Sequence, residues 1–280
     1  MNLYTLPGNF QIPIAANCNL HCTNCGFMDY EMTGKSTLIK NITLDGVKSI
    51  DKKITDLNLR LEEIELFGGE PTINPEFCEI VYYLVSRRGK LFDKLKCFTN
   101  GLNFTKDVVE ALKKVDRIDI SSYPTEDEKS IHEFVSAFED SKISEELNYY
   151  IHGRDYFNGA VTTFDESIDI PDNFTNQIIF DSCFQKDDCR VVVMDGIYRC
   201  GMAHHVRKEM YKYDREELIE AFVENYSKPL EYCRDCSHAK TIYLDSVGLE
   251  KLYRVKWTSN NKMVDIKNYK RGLRLIREYD

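Results

Sequence analysis

The sequence predicts an α/β chain organised around a parallel sheet, followed by a smaller cysteine-rich part. Three observations predict it. Strand-like and helix-like segments alternate from residue 63 to about residue 155, and strands alternating with helices of ten to fifteen residues imply βαβ units with right-handed crossovers. The rhythm weakens beyond that point and gives way to a hairpin signal. The cysteines also divide: Cys18, Cys22 and Cys25 lie near the N-terminus, and Cys183, Cys189, Cys200, Cys233 and Cys236 lie downstream. The repeating part runs to about residue 178, which bounds the units as 1–178, 179–245 and a basic, helical extension at 246–280.

The elements follow in order. "EIELF" (63–67) alternates, with Ile64 and Leu66 on one face, and ends at Gly68-Gly69. "NPEFCEIVYYLVSRRG" (74–89) places Phe77, Ile80, Val81, Leu84 and Val85 at helical spacing, with Gly89 as a stop. "KLKCFTNG" (94–101) is a strand entering a turn, "TKDVVEALKKV" (105–115) the next helix and "RIDISSY" (117–123) the next strand. A further helix opens with Thr125 and Glu128 in capping-box spacing and carries Ile131, Phe134, Val135 and Phe138 on one face. "NYYIHG" (148–153) is another strand. "RVVVMDGIYRC" (190–200) is a hairpin around Asp195-Gly196, and "DREELIEAFVENY" (214–226) a helix capped by Asp214. Several βαβ units in a row close either into an open doubly wound sheet or into a barrel.

The 280 residues are 42% apolar and 30% charged, an ordinary globular balance. No run of eighteen apolar residues exists to span a membrane, and the N-terminus has no basic n-region or apolar h-region. A cytoplasmic protein with reduced thiols is expected. The net charge of −9 argues against general nucleic-acid affinity. The stretch 251–280 departs from this, with nine lysines and arginines against three acids. It reads as a solvated amphipathic face with Leu273 and Ile276 turned inward, or as a patch for a phosphorylated or nucleotide-linked substrate.

Cys78 and Cys97, within a helix and a strand, read as small buried hydrophobes. Cys18, Cys22 and Cys25 do not, because they sit among Asn17, Asn19, His21, Thr23 and Asn24 with no strand or helix period. Structural zinc wants a fourth ligand, and His21 adjoins Cys22 at the wrong spacing. What remains is an iron–sulfur cluster held by three thiolates, with one iron left open for chemistry. Cys-x3-Cys-x2-Cys, then "GGEP" (68–71), then "TNG" (99–101), each at the C-terminal end of a strand, resembles the radical S-adenosylmethionine (SAM) superfamily.

The resemblance covers roughly residues 10–180 and implies a partial (β/α)6 TIM-like barrel with its site at the C-terminal strand ends. It implies that Cys18, Cys22 and Cys25 ligate a [4Fe-4S] cluster whose open iron takes the amino and carboxylate groups of SAM. Gly68, Gly69, Glu70 and Pro71 would bind the methionine amino group, with Glu70 accepting from the ammonium. Asn100 and Ser121 or Ser122 look like polar contacts to the cofactor, and Arg154 like a partner for its carboxylate. The chain departs from the family at Asn24, where an aromatic residue usually precedes the third cysteine; Phe27 lies close by. The implied reaction is reductive cleavage of SAM to a 5′-deoxyadenosyl radical that abstracts hydrogen from an unactivated C–H, fed by a flavodoxin- or ferredoxin-like electron donor.

For the downstream cysteines, Cys-x2-Cys at 233–236 with Cys183 or Cys189 and Cys200 fits a structural zinc site. A cysteine, a hairpin ending in a cysteine, a helix and a Cys-x2-Cys also resembles the twitch domain, the short relative of the SPASM domain. In layout the chain is similar to the 2-deoxy-scyllo-inosamine dehydrogenases. That resemblance implies a small hairpin-plus-helix domain with a second, auxiliary [4Fe-4S] cluster on Cys183, Cys200, Cys233 and Cys236. Cys189 is the spare, unless it exchanges roles with Cys183. It is either a buried thiol flanking the hairpin or a hydrogen-atom donor that would turn abstraction into epimerisation. Without a donor, the auxiliary cluster would take the second electron, giving dehydrogenation or a bond-forming oxidation. His204-His205 is either surface polarity or, through His204, a base.

Seventeen residues precede Cys18, too few for the leader-binding domain of peptide-modifying relatives. The expected substrate is therefore small: a sugar, aminocyclitol or nucleotide-linked sugar. A ribosomally made peptide is the alternative, and a nucleic acid rests on the basic tail alone. From a different class, the chain would be a non-catalytic iron–sulfur electron carrier or scaffold.

Overall fold

Residues Tyr4–Ala15 form the first strand, β1. Phe10, Ile12 and Ile14 alternate along it and are fully buried, while Asn9 and Gln11 fall on the other face. These positions come from a computed structural model that describes residues 2–20, 40–122, 149–153, 156–157, 170–183, 186, 189–201, 209–235, 239, 242–243, 246 and 255–256.

β1 pairs in parallel with β2 (Leu59–Gly68), matching Leu6 to Leu61 and Asn9 to Glu63, so one extra residue bulges at Pro7-Gly8. Gly8 sits there at φ 91°, and a Cβ would collide with the guanidinium of Arg190. Between the two strands runs α1 (Leu44–Asp56), which lies outside the elements predicted above. Its signal is legible in hindsight. Thr43 caps it by accepting from the Gly46 amide, and Val47, Ile50 and Ile54 make its buried stripe.

The remaining units follow the predicted rhythm within a few residues: α2 (Phe77–Arg87), β3 (Phe92–Thr99), α3 (Lys106–Leu112), β4 (Arg117–Ser122) and β5 (Tyr149–Gly153). Strands β1 to β5 lie side by side in sequence order, all parallel. This is the expected α/β class. A buried ion pair ties two of the helices together. Asp51 on α1 accepts from Arg87 Nε (2.5 Å) and Nη2 (3.1 Å) and from the Tyr83 hydroxyl (2.5 Å), both on α2. Burial and that carboxylate push the Tyr83 hydroxyl up to about 12.

Beyond β6 (Tyr156–Phe157), helix α4 (Asn176–Ser182) is capped by Thr175 and ends at Cys183. The predicted hairpin is present as β7 (Arg190–Val193) and β8 (Gly196–Tyr198), with Val193 opposite Gly196. It does not stand apart from the first sheet. β7 pairs in parallel with β1 through Phe10 and Gln11, and β8 is followed by β9 (Met210–Tyr211), so one eight-stranded sheet runs β5-β4-β3-β2-β1-β7-β8-β9. The predicted helix at 214–226 is shorter, α5 (Arg215–Ile219), and widens into π turns over Glu220–Glu224. There Phe222 packs edge-on against Phe10 and Tyr211, with ring centroids 5.8 and 5.5 Å apart. The Arg190 guanidinium lies 5.3 Å from the Phe10 ring and 5.7 Å from that of Phe222. Within the basic C-terminal stretch, Val255–Lys256 form β10 and pair with β6. Among the described residues no helix is long and apolar enough to cross a membrane.

Candidate active site

The C-terminal ends of β1 to β4 surround one cleft. Its wall includes Cys18, Gly68 through Pro71, Asn100 and Ser121. The glycines earn their place by close approach. Gly68 has φ 133°, and a Cβ there would lie 2.5 Å from the Ala15 carbonyl oxygen. With no side chain in the way, the Gly69 amide donates to Ala15 O and the Glu70 amide to Asn17 O, both at 2.8 Å. The "GGEP" turn is thereby stitched to the backbone just ahead of Cys18.

Glu70 is 1% exposed, and its carboxylate accepts four bonds from its own chain. Oε1 takes the Thr72 amide (3.1 Å), the Thr72 hydroxyl (2.6 Å) and the Thr99 hydroxyl (2.7 Å); Oε2 takes the Asn100 amide (2.7 Å). Burial pushes its carboxyl upward, and those bonds oppose the shift. The side chain caps the short 3-10 turn Pro71–Ile73 and joins "GGEP" to "TNG". It satisfies buried donors of its own loop, which sequence spacing did not foresee. Asn100 continues the chain of contacts, donating through Nδ2 to Asn19 Oδ1 (2.7 Å) and towards Cys18 Sγ (3.8 Å). Asn74 fixes the approach from below, donating to Ile14 O (2.7 Å) and Ile42 O (2.9 Å).

Cys18 is half-buried, and its sulfur faces two N–H donors, the Leu20 amide at 3.5 Å and Asn100 Nδ2. N–H groups aimed at sulfur suit a metal-bound thiolate, so this end of β1 fits the cluster the sequence implies. Ser121 lines the cleft; Ser122 closes β4 in register with Gly153. Cys22, Cys25, Arg154, His204, His205 and Cys236 lie outside the described residues.

The inner face of the sheet below these groups is polar, and the sequence reading missed it. Glu65 on β2, 3% exposed, accepts from Asn9 Nδ2 and from Gln11 Nε2 (2.8 Å), both on β1. Burial pushes its carboxyl up to about 7, against those two bonds and the charge of Lys96. Glu63 pairs with Lys96 at 2.5 Å, and Asp119 with Arg117 at 2.7 Å. Gln11, which lines the cleft, also has its Nε2 3.8 Å from Cys189 Sγ.

Cys183, Cys200 and Cys233 form a separate group. Burial, together with the charges of Cys200 and Cys183, pushes the Cys233 thiol up to about 11, and the Tyr232 hydroxyl lies 4.0 Å from Cys200 Sγ. Cys183, Cys200 and Cys233 are therefore electrostatic neighbours, although among the described residues no three cysteine, histidine or acidic side chains stand together at metal-binding separation.

The model of the Radical SAM superfamily matches residues 12–139, which include Cys18, Cys22, Cys25, "GGEP" and "TNG". Residues 12–139 are a radical SAM domain. Curated relatives share part of the chain. The GTP 3′,8-cyclase of Photorhabdus laumondii subsp. laumondii is 31% identical over 100 residues, 36% of this chain and 28% of that protein. That of Cronobacter sakazakii is 29% identical over 96 residues, 33% and 27% of the two chains. The chain thus spans little more than a quarter of the curated relatives it matches. Solved structures share the fold over most of their length. BtrN in complex with AdoMet and 2-DOIA aligns with TM-score 0.51 at 15% identity, covering 92% of this chain and 94% of BtrN. Native anSMEcpe with bound AdoMet aligns with TM-score 0.50 at 17% identity, covering 98% and 96%.

Proposed function

We propose that the chain is a radical SAM enzyme that reductively cleaves SAM and abstracts hydrogen from a small polar substrate, giving dehydrogenation or epimerisation. One observation carries this reading: Cys18, the "GGEP" backbone and Asn100 converge on a single cleft whose inner face is polar. A [4Fe-4S] cluster on Cys18, Cys22 and Cys25, with SAM bound, would supply the electron and the hydrogen-abstracting radical. The chain's own residues set the stage. Gly68 and Gly69 bring backbone close enough for carbonyl groups to receive an ammonium, and Glu70 locks that backbone to the "TNG" turn. Asn100 holds the first ligand's loop, and Arg154 serves the carboxylate of SAM. A flavodoxin- or ferredoxin-like protein delivers the electron.

In the same reading Cys183, Cys200, Cys233 and Cys236 hold an auxiliary cluster, and Cys189, beside the cleft-lining Gln11, returns a hydrogen atom. His204 is the base if a substrate alcohol must lose its proton. A ribosomally made peptide is the second substrate class. The polar inner face favours the small molecule, because a peptide would need an extended apolar or backbone-pairing groove.

Anaerobically reconstituted protein, supplied with dithionite and SAM, should release 5′-deoxyadenosine, detected by liquid chromatography and mass spectrometry. A fully loaded sample that releases none would return the chain to the electron-carrier class.

A further inference from the structure

Among the described residues, four charged side chains on the inner face of the sheet pair with one another, and a fifth, which lines the cleft, makes no ion pair. Glu63 is matched by Lys96, and Asp119 by Arg117. Glu65 is the fifth. It is buried, it lines the cleft, and its bonds come from the side-chain amides of Asn9 and Gln11 rather than from a lysine or arginine. Neutral amides fix the carboxylate in place but do not neutralise it, and the cation across the ladder, Lys96, is engaged by Glu63. Both amides reach it from β1, holding it at the cleft instead of letting it withdraw. Burial pushes its carboxyl upward, and the two amides and Lys96 offset that only in part.

We infer that Glu65, oriented by Gln11, is the substrate-recognition residue of this cleft and binds an ammonium group of a small amine-bearing substrate. The inference rests on the function proposed above and narrows its substrate class to amines. An ammonium seated against Glu65 would complete a third ion pair on a face that already holds two. Gln11 then has two tasks, since its Nε2 also lies 3.8 Å from Cys189 Sγ. It sets the distance between the recognised amine and the Cys189 thiol, so the carbon that reacts is one a short way along the molecule from the nitrogen.

The test uses matched probe pairs on the anaerobic, reconstituted protein with SAM present: glucosamine against glucose, and putrescine against 1,4-butanediol. Isothermal titration calorimetry should show the amine of at least one pair binding about tenfold or more tighter than its hydroxyl counterpart. Glu65→Gln should erase that preference, and Glu79→Gln, on the exposed side of α2, should keep it. Gln11→Met leaves the carboxylate in place and should weaken the preference, which keeps the test alive if Glu65→Gln does not fold. No amine preference in either pair for the wild type, or a preference that survives Glu65→Gln, overturns the inference. Release of 5′-deoxyadenosine by the wild type is scored separately. If it occurs without an amine preference, this inference falls alone; if it does not occur, the parent reading has failed.

Discussion

The cleft around Cys18 and the cluster of thiols around Tyr232 are built on opposite logic. At the cleft the described groups that shape the site are held by protein: Glu70 by four donors, Gly69 and Glu70 by the carbonyls of Ala15 and Asn17, and Cys18 by N–H groups. It rests on the large core packed between sheet and helices. Around Tyr232 the apolar support is small, comprising Val191, Tyr198, Leu230 and Tyr232, and burial with the charges of Cys200 and Cys183 raises the proton affinity of Cys233. The first region is organised before anything binds. In the second, burial and the neighbouring thiols outweigh the backbone hydrogen bond from Leu230 that favours the Cys233 thiolate. Preorganisation belongs where chemistry occurs.

The widest separation between the regions is expected in cysteine variants. Replacing Cys18, Cys22 and Cys25 together by alanine should abolish 5′-deoxyadenosine release and remove about four irons per chain. Replacing Cys183, Cys200 and Cys233 should leave release within a few-fold of wild type, and equal losses from both sets would break the comparison. Glu70→Ala should come next. It strands the buried amides of Thr72 and Asn100, for a loss of about 4 kcal/mol in a urea melt. Glu65→Gln probes the same region through pH. The folded protein raises this carboxyl from 4.5 to about 7 and so takes up a proton on folding. The resulting stabilisation is full below pH 4.5, is lost as pH rises through about 7, and is worth about 3 kcal/mol over that span. Melts from pH 4.5 to 8 should show a shallower slope in the variant, by that amount. In the thiol region, iron-free protein should alkylate at Cys233 about 100-fold more slowly at pH 8 than an ordinary thiol, speeding up as pH approaches about 11. Peptide mass spectrometry after iodoacetamide reads this directly. The smallest effects are at helix caps: Thr43→Ala on α1 and Asp214→Ala on α5 should each cost about 1 kcal/mol. Because β7 pairs with β1, both should shift one and the same unfolding transition.

What could be read from sequence depended on whether the signal was local. β2, β3 and β4 emerged near their true bounds because alternation and turn residues are local, and "GGEP" and "TNG" emerged because residue type and spacing suffice. Ile64 and Leu66 were correctly placed on one face of β2. The opposite face, with Glu63 and Glu65, reads like any solvated strand surface. Alternation tells which residues share a side, not whether that side meets water or the interior of a curved sheet. Gln11 and Glu65 were missed for that reason. That Cys183 acts on Cys233 while Cys189 lies beside Gln11 was equally closed to inspection, since both are matters of tertiary placement. The π turns at Glu220–Glu224 reflect the fit of Phe222 between two rings from distant strands, a tertiary demand that no helical periodicity carries.

The register of β1 also has a consequence for how the protein is made. One edge of this strand is satisfied by Leu59–Gly68, but Phe10 and Gln11 on the other edge wait for Arg190 and Val191. At a synthesis rate of roughly 5–20 residues per second, that edge stands open on the ribosome for roughly 10–40 s, with Phe10 denied its guanidinium neighbour. During this interval the nascent chain offers an unpaired strand border beside an aromatic ring, which is what holdase chaperones bind and what neighbouring nascent chains aggregate upon. Arg190 ends the hazard when it slides over Gly8 and seals the border, so the last parallel strand to arrive is the one that makes the first strand safe.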